Sequence, residues 1–228
     1  MNLDGIVAQA REWLDDEALP YLWTDESLIR WANEAQDEAC LRTRFLVEDD
    51  SPAVCDIPLV VGQVSYPLHP SIIVARRVEY RHPDRLPEVL RRTTTTWLDR
   101  NVGGHWTSHE GRPCAVVQDL RRRHLRLNRI PDASALGMLR LTVWRRPLEA
   151  ERLEVGSDEP VIDEAFHLKL AHWICHRAFL RKDSEAHDPQ RAAEHLAIFE
   201  GEFGTKPSLH RLIALATDEA GEVESYWY

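Results

Sequence analysis

Lysine is nearly absent from this chain: only 3 of its 28 basic residues are lysine, the rest being arginine. The cysteines are few and scattered. Cys40, Cys55, Cys114 and Cys175 form no C-x-x-C pair, so reduced thiols are expected rather than disulfides. Long apolar runs are missing too; the longest, IPLVV and SIIVA, are far too short to cross a bilayer, and no membrane partner is expected. The opening stretch MNLDGIVAQAREWL is acidic and amphipathic, with no basic region followed by an apolar core. No secretory signal is read there, and synthesis in the cytoplasm is expected. There is no G-x-S-x-G, no P-loop and no G-x-G-x-x-G; Gly103-Gly104 alone marks a turn. Ser, His and Asp occur in no arrangement that spacing can test. The sequence therefore assigns no catalytic residue and no cofactor.

What is present is an ordinary globular composition, 43% hydrophobic and 29% charged over 228 residues, long enough for one large domain or two modest ones. Charge is distributed unevenly. Residues 1–50 carry 13 acids and 4 bases, residues 51–150 carry 9 acids and 16 bases, and residues 151–228 carry 16 acids and 8 bases. An acidic–basic–acidic chain points to a middle segment of different architecture.

The periodicities agree with that division. Ile6, Val7, Ala10, Trp13 and Leu14 recur at helical spacing. Thr24 is a good N-cap, with Asp25 and Glu26 in the first turn, for a second helix whose stripe is Leu28, Trp31, Ala32, Ala35 and Ala39. From residue 52 the period shortens. IPLVVGQVSYPL reads as strand–turn–strand around Gly62-Gln63, and SIIVARRVEYR as a strand. A short helix capped by Thr96 follows, then a glycine-bearing loop with His105 and His109, which lack an acidic partner in register and read as loop surface. CAVVQD, RRHLRLNRIP and LGMLRLTVWRRP are three further strands, with turns at Asp119-Leu120 and Pro131-Asp132-Ala133. In the last two, apolar residues alternate with arginine, as in half-buried antiparallel strands. Helix returns after Asp158-Glu159-Pro160, running from Val161 to about Arg181, and again from Asp188-Pro189 to Gly204. An amphipathic turn, SLHRLIALA, precedes an acidic end closing in SYWY. The expected fold class is α+β: a helical bundle from residues 1–50 and 151–205, an inserted antiparallel β-rich region at 51–150, and a C-terminal tail at 206–228.

One stretch invites chemistry. HWICHRAFLRKDSEAHDPQRAAEH, residues 172–195, places four histidines and a cysteine within one helix–turn–helix. On a wheel of about 100° per residue, His172, His176 and Lys169 share a polar stripe while Cys175 turns to an apolar side. His172 and His176 at i, i+4 have a chelating spacing. However, no glutamate lies between them and Lys169 repels a cation, so polar and packing roles are expected and no metal site is assigned. Arg121-Arg122-Arg123 invites a nucleic-acid reading, which the acidic ends oppose. Arginines meeting an acidic partner, such as a neighbouring copy's helices, fit better.

Five segments in order, WTDESLIRWANEAQDEAC (23–40), PLVVGQVSYPL (58–68), GRPCAVVQ (111–118), LRLNRIPD (125–132) and DPQRAAEHLAIFE (188–200), resemble the head-to-tail adaptor (connector) proteins of tailed bacteriophages. That resemblance implies a virion structural protein at the head–tail junction. It would dock on the portal protein as a ring, commonly of twelve copies, extend the DNA channel and receive the next tail or nozzle component. DNA would pass through the lumen without specific binding. The candidate interface residues are then Arg121, Arg122 and Arg123 together with Leu209, Leu212, Ile213, Trp227 and Tyr228 near the C-terminus. Readings from other classes are a metal-dependent cell-wall hydrolase using His172 and His176, and a DNA-binding accessory factor using Arg121–Arg123.

Overall fold

A computed structural model describes residues 1–118, 121, 123–182 and 186–217 of the chain. In chain order its elements are α1 (Leu3–Leu14), α2 (Asp25–Thr43), β1 (Leu46–Glu48), α3 (Pro52–Cys55), β2 (Asp56–Pro58), β3 (Ser65–Pro67), β4 (Ile72–Arg81), β5 (Glu88–Val89), β6 (Arg91–Thr93), α4 (Thr95–Asn101), β7 (Ala115–Val117), β8 (His124–Leu127), β9 (Met138–Arg145), α5 (Leu170–Phe179), α6 (Pro189–Phe203) and α7 (Leu209–Leu215). They divide into two units. Met1–Leu46 with Arg146–Pro207 is helical, and Val47–Arg145 with the segment from Ser208 is β-rich. The fold is thus mixed, with helices and largely antiparallel sheets.

In the helical unit, α1, α2, α5 and α6 contribute one apolar cluster. Ile6 and Ala10, Leu28, Ala32, Ala35 and Ala39, Leu170 and Ile174, and Phe199 and Phe203 are its buried rows. The helix ends follow local chemistry. Thr24 accepts from Ser27 N at the start of α2, and Asp188 accepts from Gln190 N and Arg191 N ahead of Pro189. Gly204, at φ 80°, stops α6. One boundary differs from the sequence expectation. The stretch 164–169 is 3-10, and the α-helix begins only at Leu170 rather than at Val161. Val161 N is engaged by Gln36 Oε1 (3.0 Å), and Asp163 accepts from Ala165 N (2.9 Å), so the chain turns tightly before it enters the helix.

In the β unit, two sheets form. One runs β1-β9-β4-β5 with β2 also paired to β9; the other runs β3-β8-β7-β6. β2 with β9, β3 with β8, β4 with β5 and β9, and β7 with β8 pair antiparallel, whereas β6 with β7 is parallel, a departure from an all-antiparallel expectation. β9 alternates regularly, with Leu139, Leu141 and Val143 buried. Its last residue, Arg145, is also buried, and its Nε donates to Glu48 (3.3 Å) rather than facing water. The strand–turn–strand at Gly62-Gln63 is not a hairpin, because β2 pairs with β9 and β3 with β8, in different sheets. Tyr66 holds this crossing. Its hydroxyl donates to Gln63 O (2.9 Å) and accepts from Val60 N (3.1 Å). Thr94, not Thr96, caps α4 by accepting from Trp97 N. The turn expected at Asp119-Leu120 lies outside the described residues. The expected tail of 206–228 contains α7, which packs on β4 within the β unit, and Arg92 donates to Leu215 O (3.2 Å).

Gly137 sits where β9 begins, and a Cβ there would lie 2.2 Å from Arg81 O, a backbone atom that cannot swing aside. Gly137→Ala is therefore expected to destabilise by about 1–3 kcal/mol through overpacking, read as a lower midpoint in urea unfolding.

Candidate interaction surfaces

The histidine-rich stretch resolves into packing. His172 does not turn toward His176. Its Nδ1 lies 3.0 Å from Nδ1 of His195 on α6, while His176 Nδ1 donates to Ala192 O (2.8 Å) and His187 Nδ1 to Phe179 O (3.1 Å). The i, i+4 pair is thus split between two partners. Trp13 of α1 stacks on His172 with centroids 4.3 Å apart and planes at 20°, and Phe179 stacks on His195. Nδ1–H of one ring donates to bare Nδ1 of the other, a contact that two protonated rings cannot make. Burial, reinforced by His195 and Lys169, lowers the His172 pKa to about 4; burial and Arg191 lower that of His195. Cys175 is buried against Ala10 O, and burial raises its thiol to about 12, so it is inert packing. Among the described residues no group of three or more His, Cys, Asp or Glu side chains is arranged to hold a metal ion.

The motifs that carried the resemblance act as polar staples. Asn33 of the WANEAQ stretch accepts from Leu153 N (2.9 Å) and donates to Leu153 O (2.8 Å), and Gln36 accepts from Val161 N. Asn128, closing LRLN, accepts from Cys114 N and Ala115 N and so fixes β7 beside β8. Arg11 and Asp16 are both buried and pair at 2.6 Å; Asp16 also accepts from Leu22 N and Trp23 N, and Arg11 donates to Trp23 O and Asp25. This network holds the 15–23 turn, whose outer residues Leu19 and Leu22 are 78% and 50% exposed. Neither the network nor the displayed turn was read from the sequence; Arg11 spaced five residues from Asp16 was the available signal.

The two sheets use arginine differently. On the first, Arg77 and Arg81 both pair with Glu79 (3.0 and 2.8 Å), and Arg140 pairs with Asp56 (2.7 Å), so that face neutralises itself. On the second, register puts Arg91, Thr93, Val117 and Arg126 on one face. Val117 packs there with Leu98 and Trp106, and Trp106 Nε1 donates to Asp99 (2.7 Å). Arg91 lies 3.8 Å over the Trp97 ring and Arg126 5.3 Å over the Trp106 ring. Among the described residues neither guanidinium has an ion-pair partner, and Arg126 Nε is buried without a hydrogen bond.

Of the residues singled out from sequence, Arg121 and Arg123 are exposed between β7 and β8, Arg123 at φ 57°. Leu209, Leu212 and Ile213 fall in α7. Arg122, Trp227 and Tyr228 lie outside the described residues. His105 and His109 are exposed, flanking the buried Trp106. No helix among the described residues is long and apolar enough to cross a membrane.

Compared with known families, residues 1–220 match that of the SU10 adaptor protein. A comparison with curated proteins gives no match.

Proposed function

The chain belongs to the SU10 adaptor protein family, a structural family of phage head-to-tail adaptors and virion components, and from this we propose that it docks on the portal as a ring. The ring, commonly twelve copies in such adaptors, extends the DNA channel and receives the next tail or nozzle component. The helical unit forms the ring body and the β unit presents the outward contacts. Surplus carboxylate on the helices suits a channel through which DNA slides without specific binding. Arg121–Arg123 and the segment carrying Leu209, Leu212, Ile213, Trp227 and Tyr228 supply docking contacts. The observation that carries this reading is the extent of the family match, which runs through both units and α7. Catalysis has no part in it: the polar groups most deeply engaged, Asn33, Gln36, Asn128 and the Arg11–Asp16 pair, all hold backbone in place.

Co-sedimentation with the cognate portal protein tests the proposal, together with mass spectrometry of purified virions. The expected result is saturable portal binding and the chain present in virions. A chain that stays free of the portal across a range of salt and is missing from virions overturns it.

A further inference from the structure

The two units spend their charge in opposite ways. Residues 1–46 and 146–207 hold 23 acids and 12 bases, a net charge of −11. At least half of those bases are consumed inside the unit. Arg11 pairs with Asp16, Arg42 with Glu38 and Glu200, Arg152 with Asp37, Lys169 with Glu202, Arg177 with Glu34 and Lys206 with Glu38. What the unit shows to its surroundings is therefore carboxylate, with Glu12, Glu17, Glu26, Glu154 and Glu159 all exposed. Residues 47–145 and 208–228 hold 15 acids and 16 bases, net +1, and on their second sheet Arg91 and Arg126 have no ion-pair partner among the described residues.

Arg91 and Arg126 are shaped for a partner. Each guanidinium lies over a tryptophan ring, which restricts it at little entropic cost. Arg91 is exposed, Arg126 half-buried with an unmet Nε–H, and Trp97 half-buried beside Arg91. Arg100 at the end of α4, with Arg121 and Arg123 at the turn leading into β8, adds positive charge, while Asp99 is already engaged by Trp106. Tryptophan and arginine together, with unpaired donors, are the residue types that anchor protein interfaces.

We infer that this arginine–tryptophan face is the contact through which the β unit of one copy receives the acidic helical unit of the next. The inference deepens the ring reading above and rests on it. Complementary charge would fix the orientation of neighbours around the ring, because the acidic helical units repel one another and are attracted to the arginine face. A face that accepts only the other unit makes a head-to-tail contact, the kind that closes into rings.

The test is sedimentation velocity of the full chain at high concentration, in low and in high salt, on wild type and variants. The wild type is expected to self-associate reversibly, less so as salt rises. Arg91→Glu/Arg126→Glu is expected to weaken association at least about tenfold, the loss of a few charge pairs across an interface. Arg91→Lys/Arg126→Lys, which keeps the charge but loses the planar fork, is expected to fall between wild type and the charge-reversed variant, and equal far-ultraviolet dichroism of all three separates a lost contact from a lost fold. Wild type that stays monomeric in low salt, or a charge-reversed variant that associates like wild type, overturns the inference. So does a finding that duplex DNA binds this face, with salt-dependent affinity lost in the charge-reversed variant while self-association is unchanged. Failure of the portal reading is distinguished from these outcomes, because portal co-sedimentation is measured separately: normal portal loading by the charge-reversed variant sinks this inference and leaves that reading standing.

Discussion

Replacing Arg11 by alanine is expected to destabilise the helical unit by about 3–5 kcal/mol, the usual cost of leaving a buried charge without its partner. Arg11 and Asp16 are each only 6% exposed, and their 2.6 Å contact is not an isolated pair. Asp16 also accepts two backbone N–H groups, from Leu22 and Trp23, and Arg11 also donates to Trp23 O, so the pair organises the whole turn between α1 and α2. Losing the guanidinium strands a carboxylate in a place where water cannot replace it. Asp16→Ala should cost about as much, because it strands two amide donors and leaves the buried guanidinium with only Trp23 O and the exposed Asp25 carboxylate. Asp25→Ala is the control: that carboxylate is 71% exposed, and its removal should cost less than about 1 kcal/mol. Thermal melts followed by dichroism distinguish these cases, with the two buried variants melting about 6–20 °C below wild type at about 2–4 °C per kcal/mol. Equal effects of Arg11→Ala and Asp25→Ala would contradict the assignment.

Acid should loosen the same unit through the His172–His195 pair. The folded state holds His172 near pKa 4, whereas an unfolded imidazole titrates near 6.5. Below pH 6.5 the unfolded chain therefore binds more protons than the folded one. Stability is complete above that point and falls as pH drops toward 4, where the loss levels off. Lys169 faces His172, and Arg191 and His176 face His195, each disfavouring protonation; Glu202 and Glu194 oppose them only in part. The loss amounts to about 2–3 kcal/mol. Urea midpoints compared between pH 7 and pH 5 capture the larger part of it, about 2 kcal/mol, before most carboxylates begin to titrate. The double variant His172→Gln/His195→Gln should flatten the profile over that range, and an unchanged slope would show that the pair is not the titrating group.

The sequence carried the helical half of this fold better than the β half. A stripe such as Leu28, Trp31, Ala32, Ala35 and Ala39 states its own buried face, and all five residues are buried. Strand patterns state a face but not a partner. PLVVGQVSYPL has the look of a hairpin, yet β2 and β3 join different sheets, because pairing is decided by β8 and β9, some 60 or more residues further on. The late start of α5 was hidden for a related reason, since the chain at Val161 is tied to Gln36, more than 100 residues away. At the surfaces, the arginine triplet drew attention because its members are adjacent in sequence. The pairs that the fold assembles, Arg91 on Trp97 and Arg126 on Trp106, are spread over 36 positions and become visible only when β6, β7 and β8 lie side by side. The histidine stretch had the opposite fate. It looked like chemistry on the page, and in space each imidazole is matched to a carbonyl or to another ring.

Electron cryomicroscopy of the chain mixed with its cognate portal tests the central claim most directly. The proposed adaptor role predicts a closed ring of this chain seated on the portal and continuing its channel, with neighbouring copies meeting helical unit to β unit. Portal particles without added density, or copies bound singly with no contact between neighbours, would contradict it.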